Sequence, residues 1–236
     1  MVPTSLLAVM FLVTAVPSCI SQSIGKCGPA ESRKFDEVAA SVTVIGNRNS
    51  SFPTTLTEAN AWCSRTKEAV KVMKDFSKKC LDNLSRQVAN LIAYGVNKHQ
   101  RKVCKSEKAR VEAAAKLRCL NTNYVKINDQ MERFVEDYQR SIRLDGKKKL
   151  AGLCCSFHSF ANRAKSEARK VCATDHANYF YDFIRAFSSD AIDLLCTNHN
   201  SESAPSCKSL VLPEKDPALP PTKSFLPPLL VSLSSI

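Results

Sequence analysis

The chain has 236 residues, of which 44% are hydrophobic and 24% charged, enough apolar side chain for packed cores. This composition excludes a chain too polar to fold. Its 34 Lys and Arg stand against 22 Asp and Glu, a net charge of +12 that bears on partners and solubility rather than on fold.

In chain order, the first element reads as a secretory signal over residues 1–23. Leu6 to Val16 is an apolar run of about h-region length and too short to cross a bilayer. Cleavage after Ser21 or Ser23 removes Cys19, so that eleven cysteines become ten, the number that pairs completely in an oxidising compartment. Cleavage after Ser18 would instead leave Cys19 at the N-terminus, as in a bacterial lipoprotein, but Val-Pro-Ser-Cys is a poor version of that pattern. The protein is therefore expected to be secreted.

From there the chain reads as two copies of one module. Cys27, Cys63, Cys80 and Cys104 recur 92 residues later as Cys119, Cys155, Cys172 and Cys196, without a gap. Ala69 aligns with Ala161, Ile92 with Ile184 and Val103 with Leu195. The expected domains are helical repeat 1 over 24–118 and helical repeat 2 over 119–210. Glycine is scarce and proline is missing from Thr54 to Ala204, so each repeat is read as three long helices, giving an all-α fold.

Repeat 1 carries apolar stripes through Phe35, Val38, Ala39 and Val42, then Ala69, Val72, Met73 and Phe76, then Leu84, Val88, Leu91, Ile92 and Gly95. Two glycosylation sequons begin at Asn49, in a loop-like stretch, and at Asn83, where a helix should start. The third helix is expected to run past Cys104 through Ala113, Ala114 and Ala115 to Cys119, joining the repeats by one continuous helix. In repeat 2 the stripes place helices near 120–143, 151–172 and 175–196. Gly95 falls opposite Phe187 in the alignment of the two copies, which suggests cores packed differently or with spare room.

An up-down-up arrangement of each module sets the disulfides. The 17 residues from Cys63 to Cys80 separate those sites by about 25 Å, far beyond disulfide reach. First therefore pairs with third and second with fourth: Cys27–Cys80, Cys63–Cys104, Cys119–Cys172 and Cys155–Cys196, with Cys154–Cys207 as an extra clamp. The last stretch, 211–236, has six prolines from Pro213 to Pro228 and reads as an extended tail without a stable helix. Its apolar end, Phe225 to Ile236, could alternatively be a glycolipid-anchor signal that would hold the protein at the cell surface.

Cys154-Cys155-Ser156-Phe157-His158-Ser159 resembles the Cys-Cys-x-x-His-Asp helix of secreted phospholipases A2, in which the histidine is a base. Ser159 stands where the aspartate belongs, Ala161 replaces the next cysteine and no glycine-rich calcium loop precedes it, so His158 is read as a helix residue beside a disulfide. His99, His176 and His199 are isolated, and no metal-ligand spacing or phosphate-cradling loop occurs. No catalytic, cofactor or metal site is assigned.

The remaining signal is charge. Lys67, Lys71, Lys74 and Lys78 recur at helical spacing, as do Lys98, Arg101, Lys102, Lys105 and Lys108. Eight Lys or Arg lie from Lys98 to Arg118 against two acids, Glu107 and Glu112. The expected function is a non-catalytic binding or structural protein that captures anionic extracellular partners, sulfated glycans or acidic lipid headgroups, on this surface. Nucleic acid is excluded as a partner by secretion. The alternative is an extracellular carrier of a lipid or other small apolar ligand, with Phe180, Phe183 and Phe187 near its cavity.

Overall fold

The computed structural model describes residues 24–219 and 221–234, so the expected signal segment 1–23 lies outside the described residues. They form ten helices: α1 (Pro29–Thr43), α2 (Leu56–Cys80), α3 (Asn83–Cys104), α4 (Glu107–Leu117), α5 (Tyr124–Ser141), α6 (Gly146–Arg169), α7 (Thr174–Ala186), α8 (Ser189–Leu195), α9 (Pro205–Lys208) and α10 (Leu226–Leu233). The all-α class follows. Among the described residues the only β pairing is an isolated bridge between Ile24 and Cys27.

Local sequence explains the main starts. Pro29 opens α1, and the Glu31 carboxylate accepts the Gly28 N–H at 2.9 Å. At α2 a reciprocal cap forms: the Thr55 hydroxyl accepts the Glu58 N–H at 3.2 Å, and the Glu58 carboxylate accepts the Thr55 N–H at 3.1 Å. Helices α2 and α3 pack as one antiparallel pair and α5 and α6 as another. Phe134 stacks on Phe160 at 4.7 Å between α5 and α6, and Phe35 stacks on Phe76 at 4.1 Å between α1 and α2.

Five disulfides form. Three are the expected Cys27–Cys80, Cys63–Cys104 and Cys119–Cys172. The other two are Cys154–Cys196 and Cys155–Cys207, which corrects the expected Cys155–Cys196 and Cys154–Cys207. Neighbouring residues on a helix point about 100° apart. Cys154 is fully buried and faces the end of α8, whereas Cys155 faces α9. The third helix expected over 175–196 is interrupted at Phe187 and Ser188, between α7 and α8, and the interruption re-aims the chain that delivers Cys196. The departure also breaks the 92-residue offset at this one bridge.

The continuous helix expected between the repeats is likewise corrected. α3 ends at Cys104, and Ser106 takes an extended conformation (φ −154°, ψ 161°) and caps α4, its hydroxyl accepting the Ala109 N–H at 3.2 Å. Arg110 reaches back and donates to the Cys104 carbonyl at 2.9 Å, satisfying an end of α3. A tight 3-10 turn over Arg118–Asn123 then leads into α5.

One apolar cluster runs through both halves of the chain, from Ile24 to Leu233. The loop between α1 and α2 is a main junction. Its Phe52 ring lies edge-on to Tyr124 at 6.0 Å and Phe180 at 5.7 Å, while the Asn121 side chain accepts the Phe52 N–H at 2.9 Å and donates to the Phe52 carbonyl at 3.0 Å. The Tyr124 hydroxyl donates to the Val44 carbonyl at 2.6 Å, and Arg48 bonds Glu132 at 2.7 Å and Asp129 at 2.9 Å.

Gly95 marks a second junction, and the reason for its small size is direct. A Cβ added there would sit 2.7 Å from the Ala186 carbonyl oxygen and 3.2 Å from that of Phe187, both backbone atoms that cannot swing aside. Gly95→Ala is therefore expected to lower stability by about 1–3 kcal/mol, even though alanine favours helices, and denaturant melts of the two proteins check it.

The C-terminal segment departs most from expectation. Residues 211–216 form no regular element and 217–218 make a turn, but 226–233 form α10, with Phe225, Leu226, Leu229, Leu230 and Leu233 buried against α1, α3 and α5. Pro227 and Pro228 occupy the first turn, where a missing N–H leaves no bond unmade. Arg140 donates to the carbonyls of Pro213 at 2.7 Å and Leu212 at 3.1 Å, and Arg143 to that of Glu214 at 3.0 Å. The buried Asp36 carboxylate accepts the Lys223 N–H at 2.6 Å, the Ser224 N–H at 2.8 Å and the Ser224 hydroxyl at 2.7 Å. The apolar stretch 225–233 is thus part of the core.

Candidate anion-binding face and the cleft beside it

Helices α2 and α3 meet along a seam marked by the Cys63–Cys104 bridge and by the Ser77 hydroxyl, 2.9 Å from the Asn90 side-chain oxygen. On α2, Lys67 and Lys74 follow Cys63 and Val70 by one helical turn, and Lys71 and Lys78 complete an exposed stripe beside the seam. On α3, Tyr94 follows Asn90 by one turn and begins a second exposed stripe through Lys98 and Arg101, which Lys105 continues just past the helix end. The two stripes therefore border one outer surface. Lys98 stands 5.9 Å above the ring of Tyr94, which is half exposed.

Lys98, Arg101, Lys102, Lys105 and Lys108 are all exposed, and none forms an ion pair among the described residues. They do not share one helix. The break at Ser106 puts Lys108 in the first turn of α4, around the corner from the other four. Glu112 is a counter-charge within their influence. Its carboxyl is held below the usual range first by the hydrogen bond from Lys116, then by the charges of Lys116, Lys108 and Lys105. Some cations elsewhere are matched within the chain, as in Arg48 with Asp129 and Glu132, Lys79 with Glu31 at 2.6 Å, and Lys223 with Glu37 at 2.9 Å.

Behind this face, between α2, α4 and α7, lies a cleft walled by Phe52, Trp62, Val103, Arg110, Leu117 and Phe183. Its volume is about 20 Å³, room for one water molecule. Trp62 is almost fully buried, yet its indole N–H finds no acceptor among the described residues. The Arg110 Nε is also buried without a partner. At the rim the Lys116 ammonium stands 5.1 Å over the Tyr179 ring. Sequence reasoning passed over Trp62 and Arg110. The signals were a single tryptophan in the chain and an arginine within the basic run.

The histidines are dispersed. His99 lies between Phe183 at 5.0 Å and Phe187 at 5.4 Å, and its Nε2 has no partner among the described residues. His158 is half-buried with its Nε2 likewise unpartnered, and burial lowers its pKa. His176 lies 3.7 Å from the exposed Asp175, and the His199 Nδ1 is 2.7 Å from the Ser206 hydroxyl. Among the described residues no group of three or more His, Cys, Asp or Glu is placed to hold a metal ion. Nor is any helix there long and apolar enough to cross a membrane. Of the sequons, Asn49 is exposed in the α1–α2 loop and Asn83 is exposed at the first position of α3.

The chain matches no family model, no curated protein and no solved structure.

Proposed function

We propose that this is a secreted, non-catalytic protein that binds a polyanion outside the cell, with sulfated glycan as the partner, through the basic stripes of α2, α3 and α4. The observation that carries the reading is the set of exposed, unpaired cations from Lys98 to Lys108, set beside a second lysine stripe on α2. Cations whose partners lie within the chain contribute little to an external anion. Those without one are free to neutralise it. Five disulfides in a chain with an N-terminal apolar run support an oxidising, extracellular setting.

On a heparin column the protein is expected to elute at higher salt than an unrelated protein of equal pI, because a clustered field outlasts screening that erases bulk charge. Reversing Lys98, Arg101, Lys105 and Lys108 to Glu should weaken binding by about 1.4–3.5 kcal/mol, roughly tenfold to several-hundredfold. Four reversals at Lys26, Arg33, Lys170 and Lys208 should do much less. Equal losses from the two sets would reduce the interaction to net charge and overturn the assignment of the face.

A further inference from the structure

We infer that Asn83 carries an N-linked glycan whose first sugar ring seats in a cavity between the start of α3 and the end of α10 and braces the two helices. The inference rests on the secreted part of the proposed function and is independent of the basic face.

The cavity measures about 370 Å³, against about 20 Å³ for the spaces beside Trp62 and Phe225, and falls at the lower end of small-ligand sites. Leu84, Leu230 and Leu233 line it on one side. Asp82, Asn83 and Ser234 line the other and are exposed, so the space opens to solvent beside the sequon. Leucine walls offer water few partners. An acetylated hexosamine suits this mixture, because its methyl group and ring C–H bonds are apolar while its hydroxyls are not.

Asn83 is the rim group left over. Asp82 pairs with Lys26 at 3.0 Å and with Arg86 at 3.4 Å, and the Ser85 hydroxyl donates to the Leu230 carbonyl at 3.2 Å. The Asn83 side chain forms no hydrogen bond among the described residues. Its backbone takes the left-handed conformation (φ 45°), which asparagine tolerates, at the bend between α2 and α3.

Attachment precedes this packing. Ser85 finds its partner in Leu230 only after 145 further residues have been made, so the sequon hydroxyl is first available to the transferase on an extended chain. The donor is a lipid-linked oligosaccharide diphosphate. The Asn83 Nδ2 attacks its anomeric carbon, a C–N bond forms as the C–O bond to the diphosphate breaks, and the amide gives up one proton; nothing is oxidised or reduced. Once the chain folds, the tethered ring lies against the end of α10, a helix that no disulfide holds because the last cysteine is Cys207.

The full chain is secreted from cells that build only high-mannose glycans, and its Asn49 and Asn83 peptides are weighed before and after endoglycosidase H, which leaves one N-acetylglucosamine on each occupied asparagine. Asn83 is expected to be occupied. Amide exchange over 226–234 should be equally slow with the whole glycan and with the single ring, and at least about tenfold faster in the same sequence made unglycosylated in a bacterial periplasm. Asn49→Gln should leave that exchange unchanged. An unmodified Asn83 overturns the proposal: a glycan on Asn49 then leaves the secretory reading standing, whereas two bare asparagines in protein that stays inside the cell remove that reading as well. Equal exchange in the glycosylated and bacterial chains gives the cavity to water or a free ligand, and exchange that rises once the outer sugars are trimmed denies the first ring its role; either result overturns the proposal. Asn83→Gln secreted from the same eukaryotic cells repeats the comparison, so the outcome does not depend on the bacterial chain folding.

Discussion

Phe225→Ala should destabilise the protein by about 3–4 kcal/mol and lower its melting temperature by roughly 10 °C, although the residue lies in a proline-rich segment. The ring is buried and packs on Phe134 at 5.4 Å and Tyr138 at 6.2 Å, so its removal leaves a cavity against α5. Val211→Ala, at a residue 83% exposed in the same segment, should change stability by less than about 0.5 kcal/mol. The loss at Phe225 has a ceiling, because it cannot exceed the free energy that holds the segment on the body. If that ceiling is reached, α10 peels away and its amides exchange quickly while the rest of the chain stays protected. A variant with an unchanged melting temperature and unchanged exchange would show that α10 does not contribute to the core.

Acid is expected to weaken the fold through His99. Burial pushes this imidazole down to about 4, and the charge of Lys102 acts in the same direction. An unfolded chain takes up the proton near pH 6.5. Above about pH 7 both states are neutral and the full stability is present. As the pH falls from about 6.5 towards 4 the unfolded chain is protonated first, so stability is lost across that window, by about 2–3 kcal/mol at pH 4.5. Protonation would place a charge between two phenyl rings with no carboxylate bonded to it. Asp36 and Asp137, both raised by burial, titrate with the opposite sign, so the measurement has to be a difference. Denaturant melts of wild type and His99→Leu at pH 7.5, 5.5 and 4.5 supply it. The wild type should lose about 2–3 kcal/mol more than the variant over this range, and parallel losses would refute the assignment.

Much of the architecture was legible because it is written in periodicity and cysteine spacing. Ile127, Met131, Phe134 and Tyr138 recur at helical steps and all four are buried in α5. Three bridges followed from the length of a helix alone. What failed were features decided by one residue or by contacts remote in the chain. Ser106 stops a helix only because its hydroxyl meets the Ala109 N–H, and a serine within a run of good helix formers carries little signal on its own. The choice between Cys154 and Cys155 depends on where α8 starts, which is set by the turn at Phe187 and Ser188. In α10, two prolines argued against a helix, and the hydrogen bonds from Lys223 and Ser224 to Asp36 that dock it span nearly two hundred residues. The basic face was visible as composition. The cleft was not, because Trp62, Arg110 and Phe183 come together only through tertiary packing.

The placement of Phe52 has a consequence for biosynthesis. Its ring is enclosed by Tyr124, Phe180 and Phe183, so the pocket that shelters it is not complete until 131 further residues have been made. At ordinary translation rates that interval is on the order of ten seconds. Until Tyr124 is made, 72 residues on, the α1–α2 loop presents a ring with none of these three partners, and until Phe183 is made the enclosure stays incomplete. A nascent chain stalled before Phe183 would offer that side chain as a handle to chaperones, and cutting the gene between the halves would yield two fragments that each need the other to fold.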